Sequence, residues 1–211
     1  DLKEFFQFGQ IIEEGVVSPE AYPDNVSVSR PSDFNALFHD AYRAFEVSGA
    51  ALLSAIAIHL DLGASYFNEH IDLGNSILRA IHYPPILHEP KSAIRAEQHE
   101  DINLITLLVG AEESGLEVKS QQGGWIPIDA KSKSIVCNIG DMMQLVTRSK
   151  LKSTTHRVVD HDIKNSKPRY SMPFFLHPSP EIILKSIVDD SPESISAHEF
   201  LDERLKAIKL Y

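Results

Sequence analysis

The stretch that decides the fold is His99-Glu100-Asp101-Ile102-Asn103-Leu104-Ile105-Thr106-Leu107-Leu108. Its apolar and β-branched run predicts a strand over Gln98 to Val109. His-x-Asp also occurs at His59-Leu60-Asp61 and His70-Ile71-Asp72, so the bare pattern carries little. Local structure separates the copies. On a helix, residues i and i+2 point about 200° apart. On a strand they share a face. His59 and His70 fall in or beside helical stretches, so only His99 and Asp101 can present an imidazole and a carboxylate side by side.

Working outward, the upstream half reads helical. Pro31-Ser32-Asp33 precedes Phe34, Leu37, Phe38, Ala41, Phe45, Leu52, Ile56 and Leu60, largely at helical spacing. Gly49 interrupts it, Asp61-Leu62-Gly63 ends it, and a shorter helix follows over Ser65 to Ile71. From Gly74 the chain changes to short strands punctuated by turns: Ser76–Tyr83, Gln98–Val109, Leu116–Ser120, Trp125–Ile128, Ser134–Ile139, Met142–Thr147, Ser153–Val159 and Arg169–His177. Ser196 and Glu199 predict a capping box opening a last helix. The expected fold is mainly β with flanking helices, a sandwich or barrel, in one domain over 1–211: mostly helical support over 1–75, the β core over 76–180, and a C-terminal helical segment over 181–211. Residues upstream of Asp1 are expected.

Composition narrows the function. The 211 residues carry 20 Lys and Arg against 30 Asp and Glu, a formal net charge of −10. That balance argues against nucleic acid as a partner, since phosphate-backbone binding needs clustered cations. A single cysteine, Cys137, excludes an internal disulfide and a Cys-based zinc ribbon, and makes a reducing, cytoplasmic compartment the expected one. Cys137 is expected to be buried and inert. The most apolar stretch, Ala50 to Leu60, is too short to span a bilayer, so no membrane partner is expected.

A third ligand is available downstream. His156 lies on the predicted strand Thr154-Thr155-His156-Arg157-Val158-Val159 and shares a face with Val158. Two histidines and one carboxylate on one side of a metal leave the other side open, a facial arrangement suited to non-heme Fe(II). The alternative is that His99 and His156 are unrelated. Arg169 and Ser171 share a strand face in Arg169-Tyr170-Ser171, a guanidinium fork and a hydroxyl fit to clamp a carboxylate. The competing reading is a surface ion pair.

Taken in order, these motifs resemble those of the Fe(II)/2-oxoglutarate-dependent dioxygenases, in the isopenicillin N synthase-like branch. The resemblance covers about Leu78 to Pro178. It includes Leu78-Arg79-Ala80-Ile81-His82-Tyr83-Pro84-Pro85, Gly115-Leu116-Glu117-Val118, Asn138-Ile139-Gly140-Asp141 and Arg169-Tyr170-Ser171-Met172-Pro173-Phe174-Phe175. It implies a double-stranded β-helix, or jelly roll. It implies that His99, Asp101 and His156 bind Fe(II) and are the catalytic centre, and that Arg169, Ser171 and Tyr83 hold 2-oxoglutarate. It further implies that O2 oxidises a small organic substrate, by hydroxylation or desaturation, with release of succinate and CO2. Asn103 and Phe174 are candidates for substrate contact, and Trp125 for the cavity wall or the core. Where many plant members carry Asn, this chain has Ile81. The turn Arg148-Ser149-Lys150 is expected to border the substrate entrance. Two other readings stay open: an O2-dependent oxidase of the same fold that does not use 2-oxoglutarate, and a non-catalytic jelly-roll binding module.

Overall fold

A computed structural model describes residues 1–13, 15–16, 22–86, 93–109, 113–129, 134–162 and 167–208. Two antiparallel sheets face each other. The larger joins β1 (Glu4–Phe8), β2 (Ile77–Tyr83), β10 (Pro173–Leu176), β4 (Ile105–Val109) and β7 (Ile135–Ile139) in that order, with β9 (Arg169–Ser171) also pairing β2. The smaller runs β3 (Ala96–His99), β8 (His156–Val158), β5 (Leu116–Lys119) and β6 (Trp125–Pro127). This is the expected jelly roll. A separate hairpin, β11 (Ile183–Lys185) with β12 (Ser194–Ser196), leads into helix α4 (Ala197–Ala207). Ser196 and Glu199 form the capping box: each accepts the other's backbone N–H at 3.1 Å.

Helix α1 (Phe34–His59) runs unbroken through Gly49. Its buried row is Phe38, Tyr42, Phe45, Gly49, Leu53 and Ala57, spaced by three or four residues as a one-faced helix requires. At 26 residues α1 is longer than its most apolar stretch suggested, and long enough to cross a bilayer by length and composition alone; its buried row packs on the larger sheet. Gly49 lies where Leu176 approaches, so a side chain there would press on Leu176. The short helix α2 (Asn68–Ile71) follows.

The larger sheet is covered on both sides, which explains its near-continuous apolar sequence. Leu78, Ile105, Leu107, Phe174 and Leu176 belong to the core under α1. Ile81, Tyr83 and Leu108 point the other way, to join Ala96, Leu116 and Val158 between the sheets.

Five expectations need correction. The upstream region contributes a strand, β1, which pairs along β2 from Glu4↔His82 to Phe8↔Leu78. Met142 to Thr147 lies in and at the end of helix α3 (Asp141–Val146), not in a strand; Met142, Met143 and Val146 are buried at helical spacing, and six residues are too few for periodicity to decide. The run Gln98–Val109 is two strands, because the chain bends over 101–104 as it crosses from the smaller sheet to the larger. Cys137 is exposed on β7. Trp125 is half-buried beneath Arg157, whose guanidinium lies 4.1 Å from the ring centre.

Two stability predictions follow from the packing. Phe174 is fully buried between Tyr42 (centroids 5.1 Å, edge-on) and Phe45 (5.4 Å, stacked). Phe174→Ala is expected to cost about 3–5 kcal/mol in chemical denaturation; a loss under 1 kcal/mol contradicts this packing. His177 is buried at the end of β10, and burial pushes its pKa down to about 4. The unfolded chain takes up that proton near pH 6.5 and the folded chain only near 4, so stability is full above about 6.5 and falls as the pH drops towards 4. Denaturation midpoints for wild type and His177→Gln should converge as the pH is lowered from 7 to 4.5.

Candidate active site

The site begins with strand pairing. His99 ends β3 and His156 begins β8, and the two sit directly opposite each other in the ladder. Their rings are 4.3 Å apart between centroids. Asp101 arrives two residues later, on the bend that leaves the smaller sheet. Its Oδ1 lies 4.0 Å from His99 Nε2 and 3.9 Å from His156 Nε2. The three form the one cluster of potential metal ligands among the described residues, with one ligand atom from each all within 4.8 Å of one another.

Each ligand atom is aimed by a hydrogen bond on its far side. His99 Nδ1 lies 2.7 Å from the Glu97 carbonyl and His156 Nδ1 lies 2.8 Å from the Thr154 carbonyl. A carbonyl can only accept, so each Nδ1 carries the proton and each Nε2 keeps a lone pair for a metal. Asp101 Oδ2 accepts from the Thr106 hydroxyl at 2.7 Å, leaving Oδ1 free. Burial, with the repulsion a protonated His156 would exert, holds His99 below the usual imidazole pKa. Two imidazole nitrogens and one carboxylate oxygen on one side of a point fit a non-heme Fe(II) ion.

The bend itself is held rigidly. Asp141 N donates to Asp101 O at 2.8 Å and Met142 N to Asn103 O at 3.1 Å, so α3 caps the loop that carries the carboxylate. Asn103 is fully buried and donates to Thr106 Oγ1 at 2.8 Å. It lies behind Asp101, outside the cavity, and a Cβ at Gly140 would strike it. The expectation of substrate contact by Asn103 is therefore corrected: its contact is with Thr106, the hydroxyl that orients Asp101.

The carboxylate clamp lies in the same cavity. Register places Arg169 opposite Tyr83 and Ser171 opposite Ile81 across β2 and β9, and all four residues line the space that holds the three ligands. Arg169 is 3% exposed. Its Nε donates to the Glu113 carbonyl at 3.3 Å and its guanidinium lies over Tyr83 at 5.4 Å. Among the described residues Nη1 is buried without a partner. An orphaned guanidinium nitrogen in a buried cavity calls for an anionic acceptor.

Phe174 does not reach this cavity, because strand alternation turns it towards α1. Its neighbour Phe175 lines the cavity with Pro173. Sequence reading also missed Lys3, Arg79, Thr106 and Asn138, which line it too. Thr106 was findable only with the bend known, since the bend resets which strand residues face inward. The Arg148-Ser149-Lys150 turn lies elsewhere. Arg148 pairs with Glu193 at 2.6 Å and Asp189 at 3.5 Å, and does not line the cavity.

Comparison with known proteins identifies the family. Residues 74–178 match the 2OG-Fe(II) oxygenase superfamily. A crystal structure from Caulobacter crescentus, assigned to the 2OG-Fe(II) oxygenase family, superposes with a TM-score of 0.89 at 42% identity, covering 99% of this chain and 70% of that one. The full-length Neurospora crassa protein solved in complex with alpha-KG gives 0.87 at 28% identity, covering 99% and 66%. A 2-oxoglutarate-Fe(II) type oxidoreductase, ppzD, of Metarhizium majus is 33% identical over 202 residues, which are 89% of this chain and 57% of that protein. This chain belongs to the 2OG-Fe(II) oxygenase superfamily. It spans about three fifths or less of the first curated relatives it matches.

Thr106 supplies a test. Thr106→Val removes the hydroxyl while keeping the shape, and is expected to weaken Mn(II) binding about 10–100-fold by calorimetry. Thr106→Ser should retain it. Equal affinity in wild type and Thr106→Val would show that Asp101 needs no such support.

Proposed function

We propose that the protein is an Fe(II)- and 2-oxoglutarate-dependent oxygenase that oxidises a small organic molecule. The observation that carries this reading is the partnerless Arg169 Nη1 in the cavity that also holds His99, Asp101 and His156. An oxidase that bound no keto acid would leave that buried cation waiting for a substrate carboxylate instead.

The three Nε2 and Oδ1 atoms would hold Fe(II), which when bound supplies O2 activation coupled to keto-acid decarboxylation. Arg169 Nη1 and the Ser171 hydroxyl would fix the distal carboxylate, with Tyr83 beside them. Burial removes competing water from this contact and strengthens it. Ile81, Leu108, Leu116 and Val158 line the same cavity and keep it dry around the reacting groups. The Neurospora crassa protein has also been solved with thymine and with 5-formyluracil, which supports a small molecule as the class of substrate. A reducing, cytoplasmic setting suits a chain with one cysteine.

Anaerobically purified protein, loaded with Fe(II) and then given O2 and 2-oxoglutarate, is expected to release succinate and CO2. Asp101→Ala should abolish both. Arg169→Gln should raise the 2-oxoglutarate concentration for half-saturation by about 10–100-fold, as expected for losing hydrogen bonds to a charged group. Substrate oxidation without succinate would favour the oxidase, and failure to bind Fe(II) or Mn(II) the binding module.

A further inference from the structure

Arg79 has no part in the function just described. It lies on β2 in the cavity-facing row Arg79, Ile81, Tyr83, at the end remote from the Arg169 clamp. At about 3.3 Å per residue, its Cα stands roughly 13 Å from that of Tyr83. Both carboxylates of 2-oxoglutarate are already accounted for, one at Arg169 and Ser171, the other at the metal. Arg79 is a third basic position.

Its guanidinium is held on three sides. Phe5 and Phe175 lie over it, with centroids 4.7 Å and 4.9 Å away. Gln7 Oε1 accepts from Nε at 2.8 Å and from Nη2 at 2.5 Å. Gln7 is neutral, so the contact positions the cation without neutralising it. Among the described residues no carboxylate pairs with Arg79 and its Nη1 has no acceptor. Lys3 lines the same cavity, and burial together with Arg79's charge holds its pKa below the usual range.

Arg79 and Lys3 also line the wider space outside, walled by Phe175, Ile102 and Ile208. The acids facing that space are largely engaged: Asp1 with Lys3, Asp141 with Arg204, and Glu100 with the Thr155 hydroxyl; Glu97 is exposed. Asp101 is near enough to act on both cations and is the carboxylate a metal would neutralise.

We propose that Arg79, seconded by Lys3, binds a carboxylate of the primary substrate, so that the substrate is a small organic acid whose apolar body lies along Phe175, Ile102 and Ile208. This rests on the oxygenase reading. A planar, pre-oriented guanidinium with a free edge suits a carboxylate, and discriminates it from a neutral amide of the same shape.

Fe(II)-loaded protein at saturating 2-oxoglutarate is assayed for succinate with matched acids and amides: benzoate and benzamide, phenylacetate and phenylacetamide, hexanoate and hexanamide. At least one acid should stimulate succinate release, with its amide at least about tenfold less effective in kcat/KM. Arg79→Gln should remove most of that preference, and Arg79→Lys should keep part of it. If Arg79→Gln does not fold, Lys3→Gln should reduce the preference. Amides as effective as acids, no stimulation by any acid, or an unchanged preference in the variants would overturn the proposal.

A protein that releases no succinate at all fails the oxygenase reading, and the subsite is then tested separately. Benzoate titrated calorimetrically into Mn(II)-loaded protein should bind at least about tenfold more weakly to Arg79→Gln than to wild type. Equal affinity would overturn the subsite.

Discussion

Two imidazoles and a carboxylate converge with their free lone pairs turned to one point, and the surrounding structure is organised to keep them there. Left to themselves, such groups would turn to solvent or to each other. Each is instead tethered from behind: His99 by the Glu97 carbonyl, His156 by the Thr154 carbonyl, and Asp101 by the Thr106 hydroxyl. The first two tethers lie within two residues of their ligands along the chain, so the smaller sheet supplies them locally. The third spans the bend between sheets. It depends on Asn103, on the closeness that glycine allows at position 140, and on α3, whose first N–H groups hold the bend.

The central strands of the larger sheet tie this site to the core. In β2, Leu78 packs under α1 while Arg79, Ile81 and Tyr83 face the cavity. In β10, Phe174 packs under α1 while Phe175 faces the cavity. In β4, Leu107 and Thr106 divide the same way. The helix therefore fixes the sheet whose opposite face carries Arg169's neighbours and Asp101's support. A packing change under α1 is transmitted through close-packed side chains rather than absorbed.

Much of this was legible in the residues. Helical context set aside the copies at His59 and His70 and left His99 with Asp101, and the two-residue period of a strand paired Arg169 with Ser171. Ser196 and Glu199 announced their helix because a capping box is a local device. What could not be read depended on the chain's path in space. The bend over 101–104 reset the alternation, so Thr106 rather than Asn103 faces the cavity. On the last strand the alternation runs on from Arg169 and Ser171 to Pro173 and Phe175, so the residues themselves already favoured Phe175 over Phe174. The Met142 run was too short to separate helix from strand. β1 gained its place only by pairing with β2, and brought Lys3 to the cavity and Phe5 to the space outside it from the far end of the chain.

The most direct test of this account is anomalous diffraction from a crystal soaked anaerobically with Mn(II) and 2-oxoglutarate. One ion is expected, bonded to His99 Nε2, Asp101 Oδ1 and His156 Nε2, with the keto acid reaching from it to Arg169. An ion bound elsewhere, or one that leaves the imidazole of His156 uncoordinated, would contradict it.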